Sequence, residues 1–162
     1  QDPRIAFLPD VHLQEHSVEI QLPFLQVALG EFSFVPLIMG DQDYETCRVL
    51  ADAIVNCCGN KQVLIVGSSD LSHYHGYEQA VRMDSRILEY LRKMDECGLI
   101  RDLSSGTGEA CGGGPAAVTM MVARQLGADK AAVLKYANSG DVTGDRSGVV
   151  GYAAAVFYEG ES

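Results

Sequence analysis

The chain has 162 residues, of which 47% are apolar and 21% are charged, and its formal net charge at pH 7 is −10. This length and composition are typical of one globular domain with a substantial core. The acidic balance argues against nucleic-acid binding and attachment to anionic membranes, because both need a basic surface. No apolar run reaches the ~18 residues of a membrane helix and no signal peptide is recognisable, so we expect a cytoplasmic protein.

The first third of the chain predicts short strands and two helices. Residues 5–8 form an apolar run that suits an edge strand or a connector. The apolar spacing of residues 18–29 predicts a helix that Pro23 kinks or divides into two segments. A strand over residues 32–39 and a helix over residues 44–57 follow.

The most informative segment runs from Val63 to Tyr74. Its apolar run over residues 63–66 predicts a buried strand of a parallel sheet. The run then changes abruptly at Gly67 into a polar stretch that contains an aspartate and a histidine. In open α/β sheets, ligands bind outside the carboxyl ends of the strands. We therefore expect the functional site at this point.

The rest of the chain continues the alternation of helices and strands. An amphipathic stripe predicts a long helix over residues 78–95, and residues 99–103 form a short turn or helix. A helix over residues 116–126 precedes strands over residues 132–136 and 149–158. This order predicts an α/β fold with a mixed, largely parallel sheet flanked by helices.

Asp70 and His73 are the first candidate site residues. A carboxylate near an imidazole can orient it, raise its basicity or share a metal ion with it. The alternative is a capped turn, in which Asp70 or Ser72 accepts backbone N–H groups ahead of the next helix. His75 is expected to face elsewhere.

Glu15, His16 and Glu19 form a second candidate group. On a helix, His16 and Glu19 share a face, which suits a shared metal ion or a hydrogen-bonded acid/base pair. The alternative is a helix N-terminus whose acidic residues complement the dipole while His16 packs against the core.

Cys111 is the third candidate, because it precedes three glycines and Pro115 at the expected start of a helix. The positive end of the helix dipole favours the thiolate, which binds metals or attacks electrophiles. The alternative is a buried cysteine before a flexible turn. The other four cysteines are expected to be reduced packing or surface residues.

Tyr136 and Asn138 begin a polar loop that follows a predicted strand. Asp141 and Asp145 in this loop suggest a cation site, but the spacing is not that of an EF-hand. Asx turns explain most of the pattern, and a supporting role at a strand-end site stays open.

Four blocks occur in the order found in the Memo family, also called AmmeMemoRadiSam system protein B: residues 15–25, 68–74, 111–115 and 136–147. The chain resembles the C-terminal part of this family, with residues 1–162 as a single Memo-like domain that lacks the N-terminal part. The resemblance implies a fold like that of the class III extradiol dioxygenases, which use non-haem iron.

The resemblance also implies a metal site, described with iron or copper, that uses two histidines and one cysteine. Cys111 matches the cysteine ligand. Asp70 and His73 match catalytic pocket residues, with His73 resembling the acid/base histidine of the dioxygenases. The two histidine ligands belong to Pro-His-Ala-Gly-Tyr and Gly-Pro-Ser-His-His motifs that this sequence lacks, so they are expected outside this chain. The remaining expected pocket residues are Glu15, His16, Glu19, Tyr136 and Asn138.

Three functions follow from the resemblance. The first is an iron-dependent oxidoreductase that acts on a small aromatic or other redox substrate. The second is a non-catalytic module that binds a metal ion or a ligand, in line with the phosphopeptide binding and copper handling reported for the family. The third is a subunit that associates with radical-enzyme partner proteins.

Overall fold

The computed structural model describes residues 2–59 and 61–160, and it has an α/β fold. Short 3-10 turns cover Pro9–His12 and Glu19–Gln21 ahead of the first helix. The helices in the described residues are α1 (Leu22–Leu29), α2 (Tyr44–Cys58), α3 (Tyr77–Lys93), α4 (Glu96–Ser104), α5 (Gly113–Gln125) and α6 (Ser139–Thr143). The strands are β1 (His73–His75), β2 (Lys130–Asn138) and β3 (Val149–Tyr158).

The sheet is antiparallel, with the strand order β1-β3-β2. Its main part is the β2–β3 pair, which runs from Lys130 opposite Tyr158 to Asn138 opposite Gly151. The prediction of a largely parallel sheet is therefore wrong for the described residues. Only residues 139–148 connect β2 to β3, and a parallel pair needs a longer crossover than this.

The predicted strand over residues 63–66 is neither buried nor paired in the described part of the chain. Val63 is 44% exposed and Leu64 is 66% exposed. The segment joins the sheet only further on, where the Leu71 N–H donates to the Gly151 carbonyl at 2.9 Å. A buried strand needs neighbours on both edges and both faces, and the described residues do not supply them here.

The predicted strand over residues 32–39 is also wrong, because these residues pair with no strand among those described. Val35 within it is 82% exposed. Residues 5–8 likewise form no strand, and Phe7 projects into solvent. The connector interpretation of residues 5–8 is the one the structure supports.

The core lies among the helices and against one face of the sheet. Its fully buried side chains include Ile87, Leu99, Met120 and Val122. Helix α3 buries the face formed by residues 80, 84, 87, 88 and 91, which is the helical spacing that predicted it. The long-helix prediction is confirmed within two residues at each end.

The other helix predictions are confirmed with shifted ends. Pro23 lies in the first turn of α1, so it starts a second segment after the 3-10 turn and does not kink one long helix. Asp43, which the sequence reading missed, caps α2 by accepting the Thr46 N–H at 3.0 Å. Helix α5 begins at Gly113, three residues before its predicted start.

The described residues contain no helix that is both long enough and apolar enough to span a membrane.

Asp102 joins α3 to α4 through its side chain, which is 10% exposed. Its Oδ2 atom accepts hydrogen bonds from Arg86 Nη2 at 2.6 Å and from the Tyr90 hydroxyl at 2.8 Å. The hydrogen bond from Tyr90, followed by that from Arg86, lowers the pKa of the Asp102 carboxyl below its ordinary value.

This lowered pKa predicts a pH dependence of stability. A folded-state pKa below the unfolded value adds stability above the unfolded value, near 3.8, and this stability is lost as the pH falls through the folded value. Asp102→Asn should therefore be less stable than the wild type near neutral pH, with a gap that narrows on acidification below that value. Urea unfolding over a pH series measures this, with Asp10→Asn as the control at an exposed position. A gap that is independent of pH would contradict the prediction.

Candidate metal centre

Strand β1 carries His73 at the end of the polar stretch that begins with Ser68. The Gly151 N–H donates to the Ser72 carbonyl at 3.0 Å, which fixes the start of β1 against β3. A capped turn is the alternative that the sequence predicts for this stretch. The structure instead places His73 in a short strand, with Asp70 just before it.

Tyr74 forms a β-bulge between the two histidines of β1. His73 lies opposite Val150 and His75 lies opposite Val149, so Tyr74 is the extra residue. Its φ of 60° lies in the left-handed region, which is rare for a residue with a Cβ atom. Bulges of this kind redirect side chains, and they occur often beside functional sites.

The left-handed backbone at Tyr74 predicts an unusual order of stability. Tyr74 is 80% exposed, so removing its side chain loses little packing. Tyr74→Gly should therefore keep the wild-type stability, and Tyr74→Val should be less stable than Tyr74→Gly by about 1–2 kcal/mol, because a branched Cβ is strained at positive φ. Urea unfolding measures the order.

The control for this order is Tyr152, a half-exposed residue of β3 with an ordinary strand backbone. There the order should reverse, since glycine weakens a regular strand and valine favours it. The same order at both positions would show that the backbone at Tyr74 is not responsible.

Cys111 lies two residues before α5 and contacts the polar stretch that leads into β1. The Asp70 N–H donates to Cys111 Sγ at 3.2 Å, and the Cys111 N–H donates to the Asp70 carbonyl at 3.2 Å. These two contacts hold the thiol beside Asp70. Cys111 is exposed, so the alternative of a buried packing cysteine is wrong.

The turn after Cys111 fits tightly against the same stretch. The Gly112 N–H donates to Ser69 Oγ at 2.8 Å, and a Cβ atom at Gly112 would overlap the Ser68 carbonyl oxygen. Only glycine allows this close approach of the two backbones.

Gln42 holds the turn from the opposite side. Its Nε2 atom donates to the Cys111 carbonyl at 3.1 Å, and its Oε1 atom accepts the Gly114 N–H at 2.6 Å. Gln42 is not among the predicted site residues, and nothing in the pattern around it distinguishes this residue from an ordinary loop glutamine.

Asp70, His73 and Cys111 bring together three potential metal-ligand atoms, all within 4.8 Å of one another. The Asp70 Oδ2 atom is 3.7 Å from His73 Nε2. The side chain of His73 is 27% exposed and that of Asp70 is 47% exposed, so the group is open to solvent. It is the one such group of three found in residues 2–59 and 61–160.

A carboxylate links His73 to His75 on the other side of the imidazole. The Glu109 Oε2 atom is 2.7 Å from His75 Nε2, and its Oε1 atom is 3.6 Å from His73 Nδ1. His75 thus lies outside the triad, as expected, but it shares the Glu109 carboxylate with His73. The sequence reading also missed Glu109, although it lies only two residues before Cys111.

The His16 group lies outside the triad. His16 Nδ1 is 3.1 Å from Glu19 Oε2, and both side chains are highly exposed. Glu15 accepts the backbone N–H groups of His16 and Ser17, which is the role of an acidic residue in a turn. Roles for these residues at a site stay predictions.

One contact connects the His16 segment to the polar stretch that carries Asp70. The Gln21 Nε2 atom donates to Ser68 Oγ at 2.9 Å, which places the 3-10 turn Glu19–Gln21 beside the polar stretch.

Tyr136 and Asn138 lie at the end of β2, and the buried carboxylate of Asp84 connects Tyr136 to Ser72, the residue before β1. Asp84 Oδ1 accepts the Ser72 N–H at 2.9 Å, and Oδ2 accepts the Tyr136 hydroxyl at 2.7 Å. Burial, together with the hydrogen bond to Asp84, raises the pKa of Tyr136 well above its ordinary value. Asn138 is buried and caps α6, accepting the Gly140 N–H at 2.9 Å.

The loop after Asn138 contains side-chain-capped turns. Asp141 accepts the Asn138 N–H at 2.9 Å and the Tyr77 hydroxyl at 2.7 Å. Asp145 accepts both the N–H and the hydroxyl of Ser147. The Asx-turn interpretation is confirmed for Asp145, whereas Asp141 and Asn138 form the capping box of α6.

The fold and the triad define an α/β protein with a candidate thiolate, imidazole and carboxylate metal centre. A family model described as Memo-like protein matches residues 5–156. Because this match covers most of the chain, the protein belongs to the Memo family.

Curated relatives agree with this family. The chain is 42% identical over 152 residues to a MEMO1 family protein of Methanopyrus kandleri, a match that covers 92% of this chain and 54% of the relative. A MEMO1 family protein of Methanosarcina acetivorans is 40% identical over 148 residues, with 90% and 55% covered. One from Methanobrevibacter smithii is 38% identical over 148 residues, with 90% and 52% covered. The chain thus spans about half the length of the curated relatives it matches.

Proposed function

We propose that this chain is a metal-binding protein in which Asp70, His73 and Cys111 hold an iron or copper ion. The observation that carries the proposal is the convergence of three different ligand atoms within 4.8 Å. Imidazole and thiolate ligands of one tetrahedral ion lie about 3.6 Å apart, given metal–nitrogen and metal–sulfur bonds of about 2.0–2.1 and 2.3 Å. The side chains need to move by only about an ångström to close on an ion.

The surroundings of the sulfur support this proposal. Ligand atoms in metal sites are oriented by hydrogen bonds from outside the coordination sphere. The Asp70 N–H supplies such a bond to Cys111 Sγ, and Ser69 together with Gln42 fixes the turn that carries the cysteine. A thiolate beside an imidazole favours transition metals over magnesium or calcium.

The proposal extends to oxidoreductase chemistry, with a fold related to the class III extradiol dioxygenases. Three protein ligands leave positions at an ion for a small redox substrate. An apolar cleft of about 480 Å³ has Ser69 and Ala110, the chain neighbours of Asp70 and Cys111, in its lining. Clefts of this size accept small aromatic molecules. With ligands supplied by residues outside the triad, His73 moves a proton instead of binding the ion, and Asp70 orients the His73 ring.

Metal analysis tests the proposal. Protein purified without oxygen, loaded with Fe²⁺ or Cu⁺ and then desalted should retain about one ion per chain. Cys111→Ala should lose that ion, and Cys97→Ala should keep it because Cys97 is an exposed residue of α4 outside the triad. Equal, substoichiometric metal in the wild type and in Cys111→Ala would refute the proposal for this chain.

A role as a partner subunit is the second candidate, and the exposed apolar residues of the 63–66 segment favour it. Exposed apolar patches often mark protein interfaces. A pull-down with the radical-enzyme and accessory proteins of the AmmeMemoRadiSam system should recover them if this role is correct. An empty pull-down by the wild type would count against it.

The proposed location of the protein is the cytoplasm. Its five cysteines are free, which is the state that the reducing cytoplasm maintains.

A further inference from the structure

The carboxylate of Glu109 lies between the two histidines of β1. Its Oε2 atom is 2.7 Å from His75 Nε2, which is a short hydrogen bond. Its Oε1 atom is 3.6 Å from His73 Nδ1, just beyond hydrogen-bond distance. A ring movement of well under an ångström closes this second contact. Glu109 is therefore anchored at one oxygen and directed at His73 with the other.

The backbone explains why these three side chains meet. The bulge at Tyr74 separates His73 from His75 on β1, and both reach the same carboxylate. Glu109 comes from the segment that also supplies Cys111 two residues later. One segment thus provides both a triad residue and the carboxylate on the far side of the His73 ring.

The two nitrogens of His73 face different partners. Nε2 is 3.7 Å from Asp70 Oδ2 on the triad side, and Nδ1 faces Glu109. A neutral imidazole carries one N–H, and a carboxylate can only accept a hydrogen bond. Glu109 favours the tautomer with the proton on Nδ1, and Asp70, at almost the same distance, favours the one with the proton on Nε2. An ion bound on the triad side takes the Nε2 lone pair, and the N–H then lies at Nδ1, where Glu109 accepts it. Histidines that bind metals commonly donate their other N–H to a carboxylate in this way.

We propose that Glu109 is a positioning residue of the metal centre: anchored by His75, it holds the Nδ1–H tautomer of His73 and directs Nε2 toward the ion. This inference rests on the proposed function, because it assigns His73 as a ligand. The competing interpretation is a partly exposed pair of Glu109 with His75 that contributes little to stability and nothing to binding.

The first measurement is made on metal-free protein. Long-range proton–nitrogen NMR of the imidazole rings reports the tautomer of each neutral histidine. Because Asp70 remains beside Nε2, we expect the Nδ1–H form of His73 to be more populated in the wild type than in Glu109→Ala. Glu109→Gln keeps an acceptor oxygen, so it should retain more of the Nδ1–H form than Glu109→Ala.

The second measurement is titration with Co²⁺ alone, followed by its visible absorption. Loss of a carboxylate that orients a histidine ligand typically costs about 10–100-fold in metal affinity. We expect a loss in this range for Glu109→Ala, a smaller loss for His75→Ala and none for Glu31→Ala, an exposed residue of the N-terminal region. A shifted cobalt spectrum in Glu109→Ala would show that His73 is held differently.

The outcomes separate the two proposals. If the wild type binds no cobalt but the tautomer of His73 still depends on Glu109, the metal proposal fails, and what stands is only that Glu109 orients the His73 ring. If the wild type binds cobalt and Glu109→Ala matches it in affinity, spectrum and tautomer, the positioning role is refuted. Circular dichroism confirms that each variant is folded, and Glu109→Gln serves if Glu109→Ala is not.

Discussion

Replacing Cys111 with serine is expected to weaken Cu⁺ binding by more than about 100-fold, because loss of the ligand itself exceeds the effect of losing a neighbouring hydrogen bond. Cu⁺ is a soft ion that prefers thiolate, and a hydroxyl replaces it poorly. Competition with a chromogenic Cu⁺ chelator under nitrogen measures the change. Asp70→Asn should cost less, since an amide oxygen still reaches the ion and copper depends less on oxygen ligands.

The matched control is Cys97→Ser. Cys97 is also an exposed cysteine, but it lies on α4 and outside the triad. It should bind Cu⁺ as the wild type does. Equal losses in the two variants would mean that Cu⁺ binds exposed thiols in general, which would contradict a site at Cys111.

Replacing Asp84 with alanine is expected to lower the free energy of unfolding by about 2–6 kcal/mol, because two donors lose a buried acceptor at about 1–3 kcal/mol each. The donors are the Ser72 N–H at the start of β1 and the Tyr136 hydroxyl of β2. Asp84 itself is fully buried on α3. The Asp84 carboxylate lies so close to Gly151 of β3 that a Cβ atom at position 151 would overlap it, so only glycine fits at that position.

Urea unfolding measures this loss, and Glu78→Ala is the control on the same helix. The Glu78 side chain is 90% exposed, so its removal should change stability by no more than about 0.5 kcal/mol. A loss below about 1 kcal/mol in Asp84→Ala would show that solvent or another group takes over the two donors. Asp84→Asn, which keeps one acceptor oxygen, should fall between the two variants.

The helices could be predicted from the sequence because their signals are local. The apolar spacing of α3 and α5 and the position of Pro23 depend only on residues a few places apart. The sequence also locates the two long strands. It does not predict their antiparallel pairing, since the relative direction of two strands depends on the segment that connects them.

The strands that were predicted wrongly share one cause. Residues 32–39 and 63–66 have the apolar composition of buried strands, and in the described residues nothing pairs with them. An apolar run indicates a preference for burial, but burial depends on neighbouring segments that a local pattern does not contain.

The sequence predicts only part of the candidate site, again because a local pattern does not show which distant residues meet in the fold. Asp70, His73 and Cys111 stand out because each is a reactive residue at the end of a predicted element. Glu109 and Gln42 have no such signal, and only the folded chain brings them to the site. Asp84 did have a local sequence signal, because it interrupts the apolar face of α3. A charged residue at a core position indicates a buried hydrogen-bonding role.

The most direct test of the central claim is X-ray absorption of the protein loaded with Zn²⁺, an ion that accepts the same three ligand types. The proposed site predicts one sulfur neighbour at about 2.3 Å and nitrogen or oxygen neighbours at about 2.0–2.2 Å. The sulfur should disappear in Cys111→Ser and persist in Cys97→Ser. A wild-type spectrum with only nitrogen and oxygen neighbours would contradict a metal centre built on Asp70, His73 and Cys111.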